Sequence, residues 1–130
     1  MAATYLDSSA VVKLAVAEPQ SAALRAFLRR RMPLLSSALA RTEVLRALLP
    51  QGEAAVERGR AVLARLELVR VNDRVLEAAG RLLPAHLRSL DAIHLATALH
   101  LGPDLSCLVT YDDRLAHAAR DQGIATAAPD

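Results

Sequence analysis

Leu105-Ser106-Cys107-Leu108-Val109-Thr110 is a short apolar stretch, and Tyr111-Asp112-Asp113 follows it and opens a helical run from Arg114 to Gln122 that Gly123 stops. The pattern is a buried strand, with Cys107 to Thr110 at its centre, then an acidic turn, then a helix. The start of the chain repeats it. Ala3-Thr4-Tyr5-Leu6 is apolar and partly β-branched or aromatic, breaks at Asp7-Ser8-Ser9, and gives way to the helical pattern Val11-Val12-Lys13-Leu14-Ala15. Asp7 and Asp112 therefore both sit where a strand ends and a helix begins. In open sheets with helical crossovers, ligand sites lie outside the carboxyl ends of the strands where the strand order reverses, so two such acids meet if their strands are neighbours.

Further strands are expected at Pro33 to Leu35, Leu68 to Val71 and Ile124 to Thr126, with helical patterns filling every gap. This is an α/β alternation, a central parallel sheet flanked by helices. Hydrophobic residues make up 53% of the 130 residues and aromatics only 2%, so the core must be built from Leu, Val and Ala. No linker, low-complexity segment or internal repeat divides the chain, and Pro19, Pro50, Pro84, Gly102-Pro103 and Gly123 punctuate the helices. One domain spanning residues 1–130 is expected. With no leader-like segment and no apolar run long enough to span a bilayer, a cytoplasmic protein without membrane contact is expected. The single cysteine, Cys107, lies in a strand between apolar neighbours; disulfide, zinc and cysteine-nucleophile chemistry are excluded for want of partners.

Two more acids come from helices. Glu43 lies in Ala38 to Leu49, a helix expected to start near Ser36-Ser37 and to stop at Pro50, with Leu45, Leu48 and Leu49 as its apolar stripe. Asp91 lies in the first turn of Ser89 to His100, where the helix dipole favours a carboxylate. Each acid alone has an ordinary explanation: a turn former at Asp7 and Asp112, a first-turn charge at Asp91, an i,i+3 partner for Arg46 at Glu43. Asp91 carries more, because Leu90-Asp91-Ala92-Ile93-His94-Leu95-Ala96-Thr97-Ala98-Leu99 is apolar almost all round and must be buried. Its charge then needs a polar crevice or a partner. His94 shares that face and reads as a satisfied interior residue or a support to the acids. Carboxylates that converge in a low-dielectric crevice repel one another unless a divalent cation offsets the repulsion, which points to a Mg²⁺ or Mn²⁺ site.

Setting these four acids aside leaves ten against sixteen Lys and Arg, a basic scaffold around a locally negative centre, although the formal net charge is only +2. A phosphodiester suits that arrangement: the surround attracts the backbone, and metal ions let the anionic centre receive it. Fifteen of the sixteen bases are Arg in an Ala-rich chain, and Arg29-Arg30-Arg31 ends a helix where cations are favoured anyway, so the charge supports this reading without carrying it.

Leu6-Asp7-Ser8-Ser9, Thr42-Glu43-Val44, Leu90-Asp91-Ala92-Ile93-His94-Leu95-Ala96-Thr97-Ala98 and Val109-Thr110-Tyr111-Asp112 stand in the order and spacing of PIN domains. Over almost its whole length the chain resembles the VapC-type toxins of type II toxin–antitoxin modules. The resemblance implies a PIN-like fold with a parallel sheet of about five strands between helices, and an endoribonuclease dependent on Mg²⁺ or Mn²⁺. It implies that Asp7, Glu43, Asp91 and Asp112 are the catalytic and metal-binding acids, and that Ser9 and Thr110 are supporting hydroxyls that hold a carboxylate rotamer or a metal-bound water. It also implies an RNA substrate, a cognate VapB-type antitoxin and a homodimer. Asp113 falls outside the pattern, and capping the following helix is its expected job.

The chemistry implied is hydrolysis by a metal-activated water, with no side-chain nucleophile. No histidine pair is placed for a metal-free mechanism. Two rivals share the fold class. A phosphoryl-accepting switch domain needs a lysine near the end of a late strand, whereas the one lysine here is Lys13. A catalytically inactive PIN-like module that binds RNA or protein would not require the complete acid set.

Overall fold

The computed structural model describes residues 2–130. Five strands, β1 (Ala3–Leu6), β2 (Leu34–Ser37), β3 (Glu67–Val69), β4 (Leu105–Val109) and β5 (Thr126–Ala127), form one sheet in the order β3-β2-β1-β4-β5. Every pairing is parallel. Helices α1 (Ser8–Ala15) and α2 (Ser21–Leu28) link β1 to β2; α3 (Ala40–Leu48) and α4 (Glu53–Leu63) link β2 to β3; α5 (Asp73–Gly80) and α6 (Ser89–His100) carry the chain back to β4; and α7 (Asp113–Asp121) precedes β5. The chain leaves β1 toward β2 on one side and returns to β4 on the other, so the strand order reverses between β1 and β4. That is the switch point at which the crevice of such a sheet opens.

Alternation along the central strands divides the core between the two faces. Leu6 of β1 with Cys107 and Val109 of β4 packs against Val11, Leu24, Val44, Leu48 and Val62 from α1 to α4. Tyr5 and Leu108 point the other way, against Leu95, Ala98, Leu115 and Ala119 from α6 and α7. Small residues bring helices close, most sharply at Gly59, where a Cβ would come within 2.5 Å of Leu48 Cδ1. Among the described residues no helix is long and apolar enough to cross a membrane.

Several expected boundaries shift. Ser36 and Ser37 end β2 instead of starting a helix, because β3 pairs with them through Ser36↔Leu68 and Ser37↔Val69. Ser36 Oγ also satisfies the Leu6 carbonyl at 2.6 Å. The helix after them begins at Ala40, and its buried stripe is Ala40-Val44-Leu48; Leu45 is half-buried, and Leu49 lies in a following 3₁₀ turn, 57% exposed. The third strand spans Glu67–Val69 rather than Leu68 to Val71, and the last Thr126–Ala127 rather than Ile124 to Thr126. In each case the partner strand fixes the register, which the chain's own alternation does not encode.

Candidate functional site

Asp7 leaves β1 at the switch point, its backbone N–H bonded to the Val109 carbonyl of β4 at 3.1 Å. It is the N-cap of α1, and its carboxylate is enclosed, 4% exposed. Oδ1 accepts from Ser9 Oγ at 2.6 Å and from the Ala10 N–H at 3.0 Å, while Oδ2 accepts from Thr110 Oγ1 at 2.5 Å. Burial drives this carboxyl above the ordinary aspartate range, and the donors from Ser9, Thr110 and Ala10 pull it back only in part.

The same hydroxyls reach across to the other strand end. Thr110 Oγ1 accepts from the Asp112 N–H at 3.0 Å, and Ser9 Oγ accepts from the Tyr111 N–H at 3.0 Å. Asp7 and the Thr110–Asp112 turn are thereby locked together. Asp112 is the N-cap of α7, with Oδ1 accepting from the N–H groups of Arg114 at 2.9 Å and Leu115 at 3.3 Å. The capping role expected of Asp113 therefore belongs to Asp112; Asp113 is the first helical residue and is exposed, because the turn after Thr110 ends one residue sooner.

Glu43, on α3, accepts on Oε1 from Ser8 Oγ at 2.6 Å and from His94 Nε2 at 2.6 Å. Burial pushes its carboxyl upward, but the hydrogen bonds from His94 and Ser8 and the attraction of His94 outweigh it, leaving the group below the ordinary glutamate range. Arg46, its expected helical neighbour, is not paired with it. Asp91, half-buried in the first turn of α6, makes no side-chain hydrogen bond among the described residues. Its carboxyl is held above the ordinary range first by burial, then by the charges of Asp112 and Asp7, against the opposing pull of Arg88 and His94.

Glu43, Asp91 and Asp112 line one cleft of about 580 Å³ together with Leu87, Arg88, Ser89 and Leu90. Asp7 lies close enough for its charge to be felt at Asp91. All four expected acids thus gather at one end of the sheet, and Ser9 and Thr110 both donate to Asp7. They do not, however, form a closed ligand shell: among the described residues no group of three His, Cys, Asp or Glu side chains is arranged so as to hold a metal ion. Asp7, Glu43 and Asp112 each accept hydrogen bonds from protein donors, which offsets part of the cost of their burial. The donor set is nonetheless all oxygen, with Asp91 unengaged and one oxygen each of Glu43 and Asp112 left over, which suits a hard cation.

Three further side chains shape the site. His94, read from the sequence as a satisfied interior residue or a support to the acids, is enclosed and bonded on both ring nitrogens. Ser8, overshadowed by Ser9, reaches Glu43 from α1, and nothing local in the sequence marks that contact. Arg88, the N-cap residue of α6, enters the cleft beside Asp91. The aromatics form no exposed stack. Tyr5 is fully enclosed, and Lys13 sits 4.8 Å over the Tyr111 ring. Phe27 is half-buried, with Arg31 stacked on it at 4.0 Å.

A family model for the PIN domain matches residues 4–121. Ribonuclease VapC46 of Mycobacterium tuberculosis (strain ATCC 25618 / H37Rv) is 64% identical over 129 residues, covering 99% of each chain. Ribonuclease VapC47 of the CDC 1551 / Oshkosh strain is 38% identical over 130 residues, covering 96% of each. Among solved structures, M. tuberculosis VapC20, described as a sarcin-ricin loop cleaving toxin, superposes with a TM-score of 0.77 at 17% identity, over 89% of this chain and 95% of that one. A toxin–antitoxin complex from Klebsiella pneumoniae gives 0.74 at 19% identity, over 98% of each chain. The strand order, the acids at the switch point and relatives that match from end to end agree: the chain belongs to the PIN-domain family, among the VapC proteins.

Proposed function

We propose that this chain is a Mg²⁺- or Mn²⁺-dependent endoribonuclease that acts as the toxin of a VapBC-type toxin–antitoxin pair. The observation that carries this reading is the placement of Glu43, Asp91 and Asp112 on one cleft beside an enclosed Asp7. The curated relatives are named ribonucleases, which supports the reaction class. One structural neighbour is a toxin–antitoxin complex, which supports a protein partner that restrains the enzyme.

Asp7, Glu43, Asp91 and Asp112 are the residues proposed to hold the cation, with Ser9 and Thr110 fixing the Asp7 carboxylate. A bound divalent ion supplies Lewis acidity, making water a nucleophile near neutral pH and offsetting charge on the phosphodiester. The protein's own contribution is placement. Asp7 is held by three donors and cannot swing away. Asp91 has neither oxygen in a hydrogen bond among the described residues and lies beside Arg88, whose positive charge draws the RNA backbone toward the acids. With Tyr5 enclosed and a cation on each of Tyr111 and Phe27, no row of rings is offered to successive bases, so RNA is held through phosphates and shape by arginine side chains and a folded or looped target is favoured.

Purified protein should cleave RNA with Mg²⁺ or Mn²⁺ and stop on addition of EDTA. Asp7→Asn, Glu43→Gln, Asp91→Asn and Asp112→Asn should each abolish cleavage. Activity that survives EDTA, or normal cleavage by Asp91→Asn, refutes the assignment. Expression without a partner should halt growth, and the Asp7→Asn form should not; harmless expression of soluble wild-type protein would favour an inactive binding module. The homodimer expected of the family is checked by light scattering on the same sample.

A further inference from the structure

The functional reading leaves His94 unused, although it is the only enclosed histidine among the described residues, 1% exposed. It projects from α6 and is bonded at both ends of its ring. Tyr5 Oη of β1 lies 2.7 Å from Nδ1, the two rings meeting edge to face with centroids 5.8 Å apart. At the other end Glu43 Oε1 stands 2.6 Å from Nε2, and Ser8 Oγ lies 3.3 Å from the same nitrogen while donating to Oε1 at 2.6 Å. An ionised carboxylate can only accept, so Nε2 carries the hydrogen of this bond. Oε1 therefore holds two donors, and no hydrogen bond from the described residues reaches Oε2.

We propose that His94 is a positioning residue for Glu43, holding Oε1 against α6 so that only Oε2 is left for the cleft. Tyr5 fixes the ring from behind, and Ser8 closes the bracket from α1. The inference rests on Glu43 being one of the cation-facing acids, and it adds how that acid is presented. With one oxygen engaged, Glu43 can offer a cation a single atom. Small octahedral ions such as Mg²⁺ accept that mode, whereas Ca²⁺ readily takes both oxygens of a carboxylate. His94 thereby biases the cleft toward the smaller ions without touching them.

The test is binding of Mn²⁺ alone, by titration calorimetry without RNA, with Ca²⁺ in parallel, on the wild type, His94→Leu, His94→Gln, Glu43→Gln and the double variant His94→Leu/Glu43→Gln. His94→Leu should weaken Mn²⁺ by about 10–100-fold, the range typical when a group supporting a ligand is removed. It should also narrow the preference for Mn²⁺ over Ca²⁺ and have no further effect once Glu43 is Gln. His94→Gln should recover most of the affinity, because its amide N–H can stand in for Nε2–H. A folded His94→Leu with wild-type Mn²⁺ affinity, or a loss that adds in full to that of Glu43→Gln, overturns the proposal. Unchanged Mn²⁺ binding by Glu43→Gln instead overturns the metal role of Glu43, and the proposal with it. Should His94→Leu not fold, Tyr5→Phe decides: removing only the hydroxyl on Nδ1 should weaken Mn²⁺ in the same direction by a few-fold, and unchanged affinity overturns the proposal.

Discussion

Replacing Thr110 by Val is the most direct probe of how the two strand ends are joined. The hydroxyl is enclosed, 1% exposed, donates to Asp7 Oδ2 at 2.5 Å and accepts from the Asp112 N–H at 3.0 Å. Valine has nearly the same shape, so no cavity opens and the cost is that of the two lost bonds. A hydrogen bond to a charged group contributes about 1.5–3 kcal/mol. The Asp112 N–H lies in a half-buried turn where water can replace the lost acceptor, which adds about 1 kcal/mol or less. The sum is about 2–4 kcal/mol, or a fall in Tm of roughly 8–16 °C for a domain of this size, measured by calorimetry at neutral pH. Losing a donor raises the Asp7 carboxyl further above its ordinary value, so the penalty should shrink as the pH drops and Asp7 becomes protonated in folded and unfolded chains alike. Thr110→Ser, which keeps the hydroxyl, should stay within about 1 kcal/mol of wild type. A Thr110→Val penalty below about 1 kcal/mol at neutral pH, or one that does not diminish in acid, would refute the bridge.

Three further outcomes are expected. Saturating Mg²⁺ or Mn²⁺ should raise Tm by mass action; Asp112→Asn should remove that rise, whereas Asp113→Asn, altering an exposed helix residue, should leave it intact, and the reverse result would reassign the aspartate. Without metal, Asp91→Asn should be more stable than wild type by about 1 kcal/mol or less at neutral pH, the benefit being limited by the half exposure of Asp91. Because the folded-state carboxyl is raised, its ionisation is costly only above the unfolded value near 3.8, so the difference should be absent in acid and grow as pH climbs through the raised value; denaturant melts at several pH values check it. Gly59→Ala should cost about 1–3 kcal/mol by overpacking α4 against the enclosed Leu48 side chain, and a neutral result in urea melts would show that α3 and α4 can separate freely.

What the sequence revealed was local: an apolar run, an acid, a helix start. That pattern is written in neighbouring residues at β1–Asp7–α1 and β4–Asp112–α7, and both units stand where it puts them. The helix of Asp91 was equally legible, since an apolar surface all round requires burial and its bounds follow from its composition. The short strands β2, β3 and β5 were placed only approximately, because pairing partners distant in sequence decide where such strands stop. Ser36 and Ser37 show why. Two serines before an apolar helix look like a cap, yet in the fold their backbones belong to a ladder and the Ser36 hydroxyl to the Leu6 carbonyl.

The site divides along the same line. Four acids could be nominated from the chain, but how each is presented depends on contacts that the sequence holds far apart: Thr110 on Asp7, Ser8 and His94 on Glu43, Asp112 on the field at Asp91. Those contacts give Asp7, Glu43 and Asp91 different characters. Burial lifts Asp7, burial and then like charge lift Asp91, while Glu43 is drawn down by its two donors. A crevice holding acids of unequal proton affinity does not ionise all at once as pH rises, and the last to ionise are those with the most to gain from a cation. Asp7 and Asp91 are those two, so cation affinity in this fold should follow their deprotonation rather than that of Glu43, and the steepest rise of Mn²⁺ binding with pH should lie above the ordinary carboxylate range. A rise centred within that range would mean that Asp7 and Asp91 are already ionised without help, and that the enclosure of Asp7 exerts less strain on its charge than its 4% exposure implies.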